Sequence, residues 1–395
     1  MNFKLLGSIL LVIGTCIGAG MLALPIATAQ LGFYTSVILL LFCWVVMTAG
    51  AFLLLEVNLW MPINSNLNTM ARSTIGPIGQ IISWLAFLLL LYSLLSAYIG
   101  GGSDLFRHLL ENAGYEIPAS AASILFTLIF GSVVYLGIRS VDYVNRGLMF
   151  VKFGAYILLV IMLMPLVSSA KLSSGSFSHI TSATAITVTI TSFGFGTIVP
   201  SLRIYFGSDV AGLKKAIMIG SLIPLLCYIA WDAAIMGVIP MDTLVGILKS
   251  DSSTSGLVEA LNSSTSSQSV RFFVDLFTSI CVLTSFLGVS LCLTDFWADA
   301  MQLEKKGFSN LIVTVATFLP PLIVVLFFPG IFVTALRYAG IYCIVLLVLL
   351  PAWMAWVGRY KHKQNSSFTV PGGKLLLAGS ILFSLILVVQ GLVGG

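Results

Sequence analysis

Gly14-Thr15-Cys16-Ile17-Gly18-Ala19-Gly20 sits in the middle of the first long apolar segment of this chain, and Gly194-Phe195-Gly196-Thr197-Ile198-Val199-Pro200 in the middle of the sixth. Glycine tolerates non-helical backbone and proline lacks the amide donor. Each stretch therefore lets a membrane helix unwind at mid-depth, provided the freed polar groups face a cavity or a ligand. One such cluster is ordinary, because small residues also let helices pack closely. Two clusters five segments apart are a different matter. An odd offset inverts the second copy in the membrane relative to the first, which is the inverted-repeat pattern of secondary transporters with a midplane site between two broken helices.

The surrounding sequence supports membrane spans. Of 395 residues, 58% are hydrophobic and only 8% charged, about a third of the roughly 25% typical of soluble domains. Apolar runs bounded by polar residues or Gly/Pro punctuation fall near 5–29, 34–57, 79–103, 119–138, 147–168, 183–205, 214–239, 270–298, 310–328, 331–357 and 374–393. That predicts an all-α integral membrane protein of eleven spans. Residues 1–168 form a first repeat of five spans, 183–357 an inverted second repeat, and 374–393 an extra span. The Ser/Thr-rich stretch 240–269 reads as a solvated external loop whose Asn262-Ser263-Ser264 is a sequon in form only. Lys4 and the small residues after the first run mimic a signal peptide, but the apolar pattern continues to Ala29, so the run is kept as span one.

Alternating the loops puts fourteen Lys and Arg residues on one side, including Lys214, Lys215, Lys305, Lys306 and Arg359, against Arg107, Lys171, Lys249 and Arg271 on the other. This positive-inside bias places the N-terminus in the cytoplasm and, with an odd span count, the C-terminus outside. No basic run stands clear of the apolar segments, which removes nucleic acid as a partner. The six cysteines lie within apolar stretches without close pairing and read as small buried hydrophobes, and the three histidines, His108, His179 and His362, lie near span ends or in loops. Neither a metal site nor a catalytic cluster can be assembled from them, so no enzyme, catalytic residue or cofactor is expected.

Two broken helices suit a zwitterion. The restarting half of span one offers free amides and a positive dipole end to a carboxylate around Ile17, Gly18, Ala19 and Gly20, with Thr15 beside the break. Carbonyls of the preceding half-helix, together with those of Phe193 and Gly194, can accept an ammonium group. Phe195, inside the second break, is the leading side-chain contact. Among other charges within apolar runs, Glu56 and Arg72 read as organisers of the cytoplasmic end and Arg337 as a residue that snorkels. Asp232 reads as one that pairs or lines the cavity. Asp295 and Asp299 read as interfacial residues, with a gate role competing.

Ile17-Gly18-Ala19-Gly20-Met21-Leu22-Ala23-Leu24-Pro25, Phe193-Gly194-Phe195-Gly196 and Val199-Pro200-Ser201-Leu202 resemble the bacterial hydroxy and aromatic amino-acid permeases. So do Leu53-Leu54-Leu55-Glu56-Val57, Ala97-Tyr98-Ile99 and Phe286-Leu287-Gly288-Val289 with Asp295-Phe296 and Ala298-Asp299. The resemblance covers nearly the whole chain. It implies a LeuT-type five-plus-five inverted repeat with an extra C-terminal helix, and proton-coupled import of tyrosine or tryptophan across the bacterial inner membrane. Gly196 departs from it, since many relatives are expected to carry histidine in that stretch.

In such a fold span three borders the centre, which brings Tyr92 and Tyr98 forward as substrate contacts. Sodium-coupled relatives of the fold hold an ion at positions matching Gly14, Ile17, Thr284 and Ser285. Lys152, about one turn inside span five, either snorkels to the interface or brings an ammonium to that place and carries the coupling proton. Sodium coupling, another neutral amino acid, and a non-transporting sensor or channel stand as alternatives. The oligomeric state is left open.

Overall fold

The computed structural model describes residues 3–365 and 367–393. Every regular element within them is helical. Among the described residues, nine helices are long and apolar enough to cross a membrane, a bent pair makes a tenth when it is counted as one span, and Ala119–Tyr135, on the expected fourth segment, is a shorter apolar helix of 17 residues. The segments keep the sequence numbering, spans one to eleven. Span lengths vary widely. Span three, Pro77–Asn112, has 36 residues, about 54 Å at 1.5 Å per residue, so it runs well beyond a 30 Å hydrocarbon layer.

Span one is two helices, Phe3–Cys16 and Ala19–Ala27, bent by 50°. The bend is Ile17-Gly18, with Gly18 fully extended at φ −156° and ψ −151°. Span six is Ala183–Ser192, a 3-10 stretch Gly194–Ile198, and Val199–Phe206. Here the backbone tightens instead of opening. Pro200 falls in the first turn of the last piece, where its missing N–H has no intrahelical partner to lose.

A third irregularity was absent from the sequence reading. Span ten is Phe332–Ile344, a π-helical turn Val345–Leu349, and Leu350–Tyr360. Pro351 explains it, because its missing N–H leaves the Leu347 carbonyl, four residues back, without its helical donor. That carbonyl is pressed against Gly50 of span two, Gly32–Leu59, where any Cβ would collide with it.

Three expectations need correction. Residues 240–269 are not simply a solvated loop: Met241–Leu248 and Ser253–Ser263 are helices that bury Leu244, Ile247, Leu257, Val258 and Leu261. Serine-rich composition hid the apolar spacing of these five. Arg337 does not snorkel. It is 9% exposed and lies over the Tyr338 ring at 5.1 Å, because this part of span ten packs tightly on spans three and six. Cys292 is exposed, unlike Cys16, Cys43, Cys281 and Cys343.

The second half of span one is buried at all nine positions. It packs on the first half of span six and on span seven, Val210–Val238. Span five, Ile138–Leu163, lies against span eight, Gln268–Met301, and span eight also packs on span three. Both breaks are thereby enclosed by other spans.

Candidate functional site

The break in span one frees backbone groups that an intact helix would satisfy, and side chains from other spans meet several of them. Lys152 of span five is 1% exposed. Its Nζ donates to the Ile17 carbonyl at 2.7 Å and contacts Thr284 Oγ1 at 3.3 Å. Thr284 in turn donates to the Ile280 carbonyl of its own helix at 2.9 Å. The ammonium thus bridges the break in span one to span eight. Among the described residues, no carboxylate forms an ion pair with it.

Ser285, the next residue, serves the other side of the break. Its hydroxyl accepts the Ala19 amide at 2.9 Å, capping the first turn of Ala19–Ala27. A Cβ at Gly18 would collide with that hydroxyl, and one at Gly20 would stand 3.2 Å from Ser192 Oγ. Close approach therefore calls for glycine at position 18, while at position 20 Ser192 would have to give by only a few tenths of an ångström. Of the four positions matched to a cation site, Ile17 and Thr284 meet the ammonium and Ser285 turns to an amide. Gly14 faces Met149, whose Cε would lie 2.8 Å from a Cβ there.

Tyr228 of span seven was missed by the sequence reading, and it joins the two breaks. Its hydroxyl is fully buried, 2.7 Å from the Cys16 carbonyl and 2.8 Å from the Ser192 carbonyl. Cys16 ends the first half of span one and Ser192 the first half of span six. A phenol has one proton to donate, so that proton is shared between the C-terminal ends of both half-helices. The Tyr228 ring meets Phe193 edge-on at 5.2 Å. No local sequence signal marks Tyr228, since a tyrosine in an apolar run looks like packing.

Phe193 and Phe195 are both 0% exposed, and the Gly194 carbonyl accepts from the Thr197 hydroxyl at 3.1 Å. Tyr98 is buried and lies near Ser285 and Tyr228, so it stands with the breaks. Tyr92 does not. Its hydroxyl donates to the Ala316 carbonyl at 2.6 Å and accepts from Trp297 Nε1 at 2.9 Å. Six residues on a helix turn through about 600°, which puts Tyr92 and Tyr98 some 120° apart. Tyr92 lines a separate cleft of about 770 Å³ with Ser96, Pro321 and Tyr338. Thr15 is exposed and its hydroxyl is spent on the Leu11 carbonyl at 2.8 Å.

At one end of the bundle Glu56 is buried. It accepts two bonds from Arg359 at 2.7 and 2.5 Å and the Val370 amide at 2.8 Å. Arg203 reaches Asn58 nearby. These contacts tie together the ends of spans two, six and ten, matching the organising role expected of Glu56. Asp295 and Asp299 are exposed at the end of span eight, with Asp295 paired to Lys305.

The model of the tryptophan/tyrosine permease family matches residues 1–391. The chain belongs to that family. It is similar to the tyrosine-specific transport system 1 of Haemophilus influenzae, 36% identical over 95% of this chain and 93% of that one. The tryptophan-specific transport protein of the same organism is 32% identical over 98% and 95% of the two chains. A glutamine transporter 2 from Aliivibrio fischeri is 33% identical over 99% and 100%. This is a multi-pass membrane permease and not an enzyme, and the family frame spans its breaks, Lys152 and Tyr228 alike.

Proposed function

We propose that this permease imports tyrosine or tryptophan across the bacterial cytoplasmic membrane by proton symport. Alternating access would come from two inverted five-span repeats, 1–168 and 183–357, with span eleven outside them. The observation that carries this reading is the Lys152 ammonium on the Ile17 carbonyl, because it fills the gap between spans one and eight with a charge that protonation controls. Loss of that proton would remove the cation holding Ile17 and free the break to move. A coupling sodium ion would have to occupy the same space.

The substrate carboxylate fits the amides of Gly18 and Gly20, at the positive end of Ala19–Ala27. An aromatic side chain fits beside Phe195 and Tyr98. The glutamine transporter among the relatives favours a second reading, in which the substrate is a polar neutral amino acid and only the side-chain end of the site differs. The positive-inside charge balance supports an N-terminus in the cytoplasm and a C-terminus in the periplasm.

Proteoliposome uptake of tyrosine, tryptophan, phenylalanine and glutamine, driven by a proton gradient in one arm and a sodium gradient in the other, tests the proposal. Proton-driven accumulation of an aromatic amino acid is the expected result. Sodium-driven accumulation would refute the role given to Lys152, and preference for glutamine would refute the aromatic assignment.

A further inference from the structure

Asp232, in the second half of span seven, is a carboxyl group that the transport reading does not use. It is 0% exposed, and among the described residues neither carboxylate oxygen has a hydrogen-bond partner. The sequence led us to expect a residue that pairs or lines a cavity, and no pairing is found among the described residues. An ionised carboxylate with no donor in a membrane interior is strongly disfavoured, whereas the neutral acid carries no net charge into the apolar surroundings.

The groups on every element packed against span seven bear this out. From the first half of span one come Cys16 and Lys4, the latter over the Tyr205 and Phe206 rings. From span two come Tyr34, Cys43 and Glu56, the last held by Arg359. The helix Ser169–Leu172 brings Lys171, which donates to the Val238 carbonyl at 2.5 Å. Val199–Phe206 brings Arg203, held on Asn58, and Tyr205. From span five, Lys152 is on Ile17 and Thr284, and Tyr143 is exposed near the start of that helix. Among the described groups of these elements, the Tyr156 phenol of span five interacts electrostatically with Asp232.

Tyr156 links this place to the break in span one. It stands one helical turn beyond Lys152, and its hydroxyl donates to the Cys227 carbonyl of span seven at 2.9 Å. Cys227 adjoins Tyr228, which holds both breaks. Asp232 follows on the same helix, toward the end where Ser168 and Lys171 close on Gly237 and Val238. Lys152, Tyr156 and Asp232 thus follow in order from mid-depth outward on the proposed topology, with Tyr156 joining span five to span seven.

We propose that Asp232 is a proton-binding site of the permease, distinct from Lys152. While the bundle is closed it is the neutral acid. When alternating access admits water it releases H⁺ to give the carboxylate, and it takes H⁺ back before the site closes again. The cycle rests on the transport reading, but the protonated carboxyl itself does not.

The test is infrared spectroscopy of the full-length protein in lipid vesicles, with pH steps and with tyrosine or tryptophan added, for wild type, Asp232→Asn and Asp232→Glu. The expected result is a carboxylic-acid carbonyl band that changes with pH or substrate, is lost in D232N and is displaced in D232E. D232E also serves if D232N fails to fold. Identical carbonyl spectra in wild type and both variants would overturn the proposal, because Asp232 would then be ionised. In parallel uptake assays D232N should keep substrate exchange while losing accumulation driven by a proton gradient; accumulation with the wild-type pH profile would also overturn it. Failure of wild-type uptake with every substrate would strike the transport reading and leave the band assignment standing.

Discussion

Replacing Tyr228 by Phe removes one oxygen and keeps the ring that meets Phe193 at 5.2 Å. The carbonyls of Cys16 and Ser192 then lose a donor at 2.7 and 2.8 Å. Both lie in a closed part of the bundle, so water cannot readily replace it. A buried acceptor left without a partner costs about 1–3 kcal/mol. Because one proton serves both carbonyls, the whole loss should stay near that range and not double. If the hydroxyl holds the two breaks in their binding geometry, the same free energy weakens substrate affinity by roughly 5- to 150-fold. The assay is equilibrium binding of labelled tyrosine and tryptophan to detergent-purified Y228F, with thermal unfolding of the same sample. A fall in affinity within that range, with a lowered unfolding temperature, is expected. Affinity within about twofold of wild type, corresponding to about 0.4 kcal/mol, together with unchanged unfolding, would refute the reasoning.

Lys152→Ala should abolish accumulation driven by a proton gradient while leaving measurable binding, read by uptake and by equilibrium binding. Glu56→Gln leaves Arg359 without its charged partner where the two side chains are 1% and 10% exposed; it should cost about 3–5 kcal/mol of stability in thermal unfolding, and the double change Glu56→Gln with Arg359→Gln should recover part of the loss. Gly32→Ala should reduce folded yield in fluorescence-detected size exclusion, because Gly32 has φ +70° and an added Cβ would collide with the Ser174 carbonyl. Asp104→Ala removes the acceptor of the Thr254 hydroxyl and of the Ser255 amide and hydroxyl, each at 2.8 Å, and should speed proteolysis between 249 and 265 in intact vesicles.

The sequence by itself determined the class of structure and the places where helices fail. Length and apolarity set the spans, because a backbone in hydrocarbon must satisfy its own hydrogen bonds. Glycine and proline located both breaks, since their effect acts on the residue itself and its immediate turn. Lys152 was legible for a similar reason: a charge well inside an apolar run needs a partner, and the freed carbonyls of span one supply one.

What only the tertiary structure decided is which side chain meets which freed group. Tyr228 and Cys16 are 212 residues apart and Ser285 and Ala19 are 266, and helical periodicity says nothing about such pairs. The same limit separated Tyr98 from Tyr92, because a face becomes central only once its neighbours are fixed. It also left Asp232 unread: a carboxyl in an apolar run can pair, face water or hold a proton, and which of these it does depends on the donors that packing brings to it or withholds.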